Sequence, residues 1–584
     1  MADLDSPTQT KAMPSALVRK TMSRNFIVRV LGAALRMLSV LALPLAYQVP
    51  ASAGNDFVWS PVTEFMEGGR LVPLAVSTPT CNISYIVYGS RSVEGGVDEL
   101  VIRSSQTAGR VWSVPRRIGA SGVGYSSCSI GSSGTAAVYV LGGAAPGGAH
   151  AGLLFWKSTD SGNSWSSAVR DVSYGRANGC CGSQLVCDDG GKILVAFNDL
   201  ELRLLVNVSQ DGGETWLATP IEIAGPPAEN RLWEVCSAGG GFASIVYTVQ
   251  NSSEVDGVFV TTSTDGGHSW SPPTRMDEGA DLSYGANLVA DGMGRVACSW
   301  ADESHRTAVR FGDEYGAVFG PVVSLESIRT FGVGKVSIDC LGVGKVALWG
   351  FPSGAPSGVY LAEYSPGDSS LHSERRVSDD VELGTAEILD ISSAADGSCV
   401  IVWSDWRTSY GDYWANVSTN GVDWPADDVL INELLPKSQA TRSVDVDINV
   451  AGQVVVAWGD CIGQCVPRVY VRPASLGVAM SVVAEPPILP AVGGSVVMEC
   501  VLSNVTSSML ESISVWMSAT RPDGNETPVL IGPISIARLS PGRTLRKRRE
   551  FMFPSRLSTG TWKLNLWVGE PLNDVASACI RKKD

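Results

Sequence analysis

Arginines, carboxylates and aromatic residues recur in the turn-rich segments of this 584-residue chain. One set is Arg231 with Trp233, then Arg306, then Trp406, Arg407 and Tyr410. Arg70, Arg91, Arg176 and Arg442 lie at comparable turns, as do Asp98, Glu229, Asp281, Asp302, Glu303, Asp380, Asp412 and Tyr284. Aromatic planes beside guanidinium groups and carboxylates suit sugar rings and their hydroxyls. The same mixture suits any polar interface, and such charges also pair with one another on solvated loops. The chain has four histidines, and no cysteine–histidine spacing resembles a zinc site. Acidic turns such as "CDDGG" (187–191) read as hairpins. No metal and no cofactor is called for.

The elements that must carry these residues show in a repeat. "KSTDSGNSW" (157–165), "VSQDGGETW" (208–216) and "TSTDGGHSW" (262–270) share Ser-x-Asp-x-Gly-x-x-Trp, at spacings of 51 and 54 residues. Worn copies end at Trp112, Phe319 and Trp424, and a missing copy falls near 365–372, so a period of about 52 residues runs through most of the chain. Each period reads as four short strands separated by Asp-Gly and Gly-Gly turns. Units begin near 71, 125, 182, 233, 286, 335 and 387, and three further strands follow Trp424. "FVWSPVTEF" (57–65) is an orphan fourth strand that can complete the last unit. The expected fold is an all-β propeller of four-stranded blades, eight favoured and seven the alternative, closed by an N-terminal strand over 54–474. The shared motif falls between the third and fourth strands. Its Asp and Gly suit a turn (Ser158, Asp160, Gly162; Ser209, Asp211, Gly213; Ser263, Asp265, Gly267), and Trp165, Trp216 and Trp270 can pack on their own hairpins. Turns after strands one and three then share a face with the motif, and the loops that carry the arginines lie on the other.

Periodicity stops after about 475. "AMSVVAEPPILPAVGG" reads as a linker, and the strand-like runs that follow suit a small β-sandwich over 475–584. Within it, "RTLRKRRE" (543–550) is a basic run in a chain of net charge −15. It reads either as a solvated strand edge that resists aggregation or as a contact for an anionic polymer. The overall acidity argues against nucleic acid as a partner. Residues 1–53 read as an export signal or leader: six basic residues, the apolar run "MLSVLALPLAY", then "ASA". That run is short of the about 20 residues needed to span a bilayer, so a membrane contact is expected only through an uncleaved leader. The expected location is secreted or at the cell surface. Cys128, Cys187, Cys236 and Cys340 occupy one place in the repeat and read as small buried residues. Cys461 with Cys465, and Cys500 with Cys579, are the candidate disulfides.

The three motifs resemble the Asp-box, or bacterial neuraminidase, repeats of the sialidase superfamily, over roughly residues 57–474. In that superfamily the boxes lie away from the catalytic centre. The resemblance implies an arginine cluster for the substrate carboxylate, a tyrosine–glutamate nucleophile and an aspartate acid. "GRLVPL" and "SYIVYGSRS" place Arg70 and Arg91 in the arginine roles. Asp98 falls where the acid-bearing loop would be, Glu234 matches the base, and Tyr284 resembles the nucleophile phrase. Thr248, Val249 and Gln250 stand where a further arginine should be. The tail is similar to small immunoglobulin-like sandwich domains appended to bacterial surface proteins. Three readings follow: a noncatalytic propeller that binds carbohydrate or a surface protein, an exo-sialidase-type glycoside hydrolase acting on sialylated or related acidic sugars, and a structural envelope module.

Overall fold

In the computed structural model the described residues run from Val58 to Lys583, with short interruptions such as 66–73, 226–232 and 433–439. The leader segment lies outside them. Every regular element among the described residues, apart from isolated turns, is a β-strand.

Among the described residues, strands up to Ser475 form eight antiparallel sheets in chain order. The third sheet shows why the sequence folds this way. Ser183–Cys187, Ile193–Asn198 and Leu204–Ser209 are short apolar runs, tied by the turn at 188–192 and by Asp199, and Ile221–Ala224 closes the outer edge. Ile193–Asn198 and Leu204–Ser209 are buried along their whole length, as central strands sandwiched between neighbouring sheets must be. The first strand of each sheet contacts the first strand of the next. Ala440–Ile448 of the last sheet contacts Leu74–Thr80 of the first, so the succession closes on itself. The fold is a β-propeller.

Packing follows the same circle. Among the described residues each junction between neighbouring sheets has its own hydrophobic cluster, from Val87, Leu100, Val140 and Trp156 between the first two sheets to Phe65, Val76, Tyr88, Val455 and Val471 between the last and the first. Val58–Trp59 and Thr63–Phe65 pair antiparallel with Val466–Ser475, at Trp59↔Ala474 and Glu64↔Tyr470. The N-terminal strand thus supplies the outer strand that the last sheet lacks, and Phe65 is the plug of the closing cluster.

The three Ser-x-Asp-x-Gly-x-x-Trp turns follow Gly152–Ser158, Leu204–Ser209 and Gly257–Ser263, the third strands of their sheets. Each has one geometry. Ser158 Oγ donates to Asp160 Oδ1 at 2.8 Å and accepts from the Gly162 amide at 2.9 Å, and Trp165 Nε1 donates to the Gly162 carbonyl at 3.2 Å. Asp160 accepts the amide and hydroxyl of Ser164 at 2.7 and 2.6 Å. Ser209, Asp211, Gly213, Thr215 and Trp216 repeat the set, as do Ser263, Asp265, Gly267, Ser269 and Trp270. The Gly162, Gly213 and Gly267 positions have φ of 79°, 86° and 91°, a region only glycine enters freely. Ser105 and Gly109 keep the serine–glycine bond at 2.9 Å although Thr107 replaces the aspartate.

The remaining strands form a three-stranded and a five-stranded sheet around one cluster that includes Val496, Met498, Ile513, Trp562 and Ile580. Part of the stretch that reads as a linker is a strand here. Val478–Glu485 pairs along its whole length with Gly493–Asn504, because Val482 and Ala484 supply buried side chains to the cluster. Cys500 is a buried free thiol, so the pairing expected with Cys579 does not form. Cys236 is likewise a buried thiol, and Cys128 and Cys187 are half-buried thiols. Cys340 and Cys465 lie outside the described residues.

Candidate functional site

In each sheet the first and third strands run the same way. The starts of the first strands therefore lie at the end of the ring opposite the Ser-x-Asp-x-Gly-x-x-Trp turns. There a cavity of about 600 Å³ opens among the starts of Ser183–Cys187, Trp233–Gly239, Tyr284–Ala290, Lys335–Ile338 and Ala386–Ser393. Trp233 and Trp349 give it aromatic walls, and Gln184, Glu234, Asn287, Lys335 and Glu387 give it polar groups. Cavities of this size hold one small ligand.

These polar groups are held by bonds that step from one sheet to the next. Gln184 Oε1 accepts the Val235 amide at 3.0 Å, and Glu234 Oε2 accepts the Leu288 amide at 2.7 Å. Lys335 Nζ donates to Asn287 Oδ1 at 2.7 Å and stands 3.8 Å from Glu234 Oε1. Trp233 Nε1 donates to Asn198 Oδ1 at 2.6 Å, which fixes the ring. An innermost strand has a backbone edge with no neighbouring strand to pair with, and polar side chains from the adjacent sheet satisfy it. Burial pushes the Glu234 carboxyl above the usual carboxylate range, while the Lys335 ammonium and the Leu288 amide pull it back.

The same stapling continues along the channel. Asp390 Oδ2 accepts the Val446 amide at 3.1 Å. Asp445 Oδ2 accepts the Val76 amide at 2.7 Å, and Asp447 Oδ2 accepts the amide and hydroxyl of Thr78 at 2.7 and 2.9 Å. These last bonds join the final sheet to the first. Burial raises Asp390, Asp445 and Asp447, and Asp445 stands well above its ordinary value through burial first and then the adjoining Asp390 carboxyl.

The residues singled out in the sequence fall in several places. Glu234 and Trp233 line the cavity. Tyr284 begins the strand whose next residue, Gly285, is in the wall; its side chain is outside the described set. Arg91 and Asp98 face each other in backbone register across one hairpin, and their side chains are also outside that set. Arg306 is exposed and pairs with Asp302 at 2.8 Å. Arg407 is enclosed: Asp379, Asp405 and Asp428 accept from it at 2.7 to 2.9 Å, and its Cζ lies 4.1 Å from the Trp414 ring centre. Its guanidinium is engaged by two carboxylates of its own sheet and by one from the segment that follows the preceding sheet, unlike an arginine held ready for a ligand. Arg70, Arg231, Trp406 and Tyr410 lie outside the described residues. No arginine is among the described residues that line the cavity.

Lys335, Asn287, Gln184, Glu387 and Trp349 were not singled out. Four of them sit at or within two residues of a unit start. The period, applied to the first residues of each unit rather than to its loops, was the signal that could have found them.

No family model matches the chain, and no curated protein matches it. Among solved structures it is similar to an ulvan lyase, a polysaccharide lyase (14% identity over 70% of this chain and 94% of that one, TM-score 0.39). It is similar to a lectin from Burkholderia pseudomallei (14% identity, 62% of this chain and 100% of that one, TM-score 0.39). It is also similar to the β-propeller domain of the trilobed protease from Pyrococcus furiosus (14% identity, 64% and 98%, TM-score 0.35).

Proposed function

We propose that this chain is an exported, eight-bladed propeller of the sialidase-like type that binds a glycan without turning it over. The reading includes a leader over 1–53, a propeller over 54–474 and an immunoglobulin-like sandwich over 475–584, with the mature protein secreted or at the cell surface. The observation that carries it is the cavity: two tryptophan rings beside a fixed carboxylate, an ammonium and two amides. Aromatic faces stack on sugar rings, and Glu234, Lys335, Asn287 and Glu387 supply acceptors and donors for hydroxyls. The polar atoms are already oriented by the neighbouring sheets, which lowers the ordering cost of binding. Glu387 is exposed, so Glu387→Gln removes a charge from the rim without touching the packing. A glycan array followed by calorimetry should find a ligand whose affinity falls at least about tenfold in Glu387→Gln, with unchanged melting, and in Lys335→Met at temperatures where that variant is folded. Loss of neither would sink the reading.

A sialidase-type hydrolase is the second reading. It is favoured by Glu234, a carboxyl with a raised pKa at the cavity wall, and by Tyr284 at the start of the adjoining strand. Turnover of a fluorogenic sialoside between about pH 4 and pH 8, abolished in Arg91→Ala and Glu234→Gln, would replace the first reading with this one.

A further inference from the structure

The strand Thr544–Pro554 carries the basic run, and it is the edge of the three-stranded sheet. Among the described residues it pairs only with Gly493–Asn504, so its other backbone edge is open. Arg546, Lys547, Arg548 and Arg549 are all exposed. Their one described ion pair is Arg546 with Glu499, at 3.4 Å between two exposed side chains. From Arg538 to Arg556 the chain holds seven Lys/Arg and one Glu, against a net charge of −15 for the whole.

Side chains alternate across a strand. Lys547 and Arg549 stand in register with Cys500 and Met498, which are buried in the core of the sandwich, yet both basic residues are exposed. The facing sheet therefore does not cover this edge. Its own edge strand, Ile531–Leu539, follows in chain order just before and leaves Ile534 54% exposed; Met552 on the basic strand is 72% exposed. The open backbone edge is thus flanked by cations on both faces, with the exposed Met552 side chain on the same strand.

We propose that this edge is a docking site for an acidic extended peptide, which adds to the sheet as a further strand. The chemistry selects that occupant. Backbone N–H and C=O groups pair with another extended chain, and alternate side chains then read the flanks. Carboxylates at alternate positions meet Arg546 and Arg548 on one face or Lys547 and Arg549 on the other. An apolar position beyond them meets Met552. A polyanionic glycan would use the charges and leave the backbone edge unpaired. A bilayer is flat and cannot meet cations on both faces of one sheet at once. A second copy of this strand is repelled by the same four charges. The proposal does not depend on the cavity reading.

The test uses the full-length protein and a ten-residue peptide of alternating Glu and Val, titrated by calorimetry. A second peptide has the same charge, with proline in place of each valine, so half of its N–H donors are gone. The proposal expects the first peptide to bind, the proline peptide to bind at least tenfold more weakly, and Arg546→Glu/Arg548→Glu to lose the first peptide while its melting temperature is kept. Lys547→Gln/Arg549→Gln, a milder change, should weaken binding severalfold. Equal binding of the two peptides, no binding of the first, or tighter binding of heparin or of anionic phospholipid vesicles would overturn it.

Discussion

The motif turns and the innermost strands of the propeller use the same residue, aspartate, in opposite ways. At the motif end, Asp160 and Asp211 accept from residues two to four positions away in the chain. The side-chain and backbone donors of Ser164 and Thr215 hold these two carboxyls down at about 2. Asp265 is pushed up by burial, but Ser269 and Ser263 outweigh that and bring it to about 2 as well. Along the channel, Asp390, Asp445 and Asp447 reach a neighbouring sheet, one period away or across the ring closure, and burial raises all three. A local turn can surround a charge with donors and still leave it in water. A ring of innermost strands offers one or two amides per carboxyl and little solvent. The first arrangement makes a rigid turn; the second ties sheets together at an electrostatic cost.

The largest effect should come where the motif end departs from its own rule. In the seventh sheet Asn420 takes the aspartate's place, and the neighbouring sheet buries Lys345 against Asp339 at 2.9 Å, with Lys345 Cε close beneath Gly421. Lys345→Ala removes the cation from beside the buried Asp339 carboxylate and should cost about 3–5 kcal/mol in urea unfolding. A loss like that of a surface lysine would mean the pair is not a substitute for the missing motif.

Next, Asp447→Ala removes the acceptor for Thr78 at the ring closure and should cost about 1–3 kcal/mol, measured the same way. The channel carboxyls also set a pH dependence. Their folded pKa values are raised, so their stabilisation is complete below about pH 4, the unfolded value, and is lost as pH rises through the folded values. Asp445→Asn should flatten that decline above about pH 4. A steeper decline in the variant would reverse the assignment.

Trp270→Phe keeps the ring and loses the bond to the Gly267 carbonyl, 3.0 Å long. A cost of about 0.5–1.5 kcal/mol is expected, readable as a small shift in melting temperature. The smallest effect is at Asp160, which is fully exposed to solvent screening. Its folded pKa is lowered, so its contribution is present above about pH 4 and lost as pH falls toward 2. Asp160→Asn should remove that shallow acid limb and lower stability above about pH 4 by no more than the limb's depth. If it changed stability at neutral pH as much as Asp447→Ala does, the contrast between the motif turns and the innermost strands would fail.

Much of the fold was legible. Trp165, Trp216 and Trp270 set the period, and unit starts read near 125, 182, 233, 286, 335 and 387 fall within two residues of the first strands observed. Less of the site was legible. Glu234 and Trp233 stood out because a phrase singled them out; Lys335, Asn287 and Gln184 have no phrase around them. Arg407 read as a ligand-facing arginine because nothing local announces Asp379 and Asp428, which lie 28 and 21 residues away. "AMSVVAE" read as linker because its proline-rich neighbourhood outweighed an alternation that only pairing with Gly493–Asn504 makes use of.

The sequence by itself determined the repeating unit, its turns and the end at which each turn must lie. Those depend on hydrogen bonds within a few residues and on alternation along single strands. Only the tertiary structure decided which side chains meet: that Glu234 is held by Leu288, that Asp445 and Asp447 close the ring on Val76 and Thr78, and that one strand of the sandwich keeps an uncovered basic edge. These contacts join residues a full period or more apart. No local preference encodes such a partner; it is set when the sheets close into a circle.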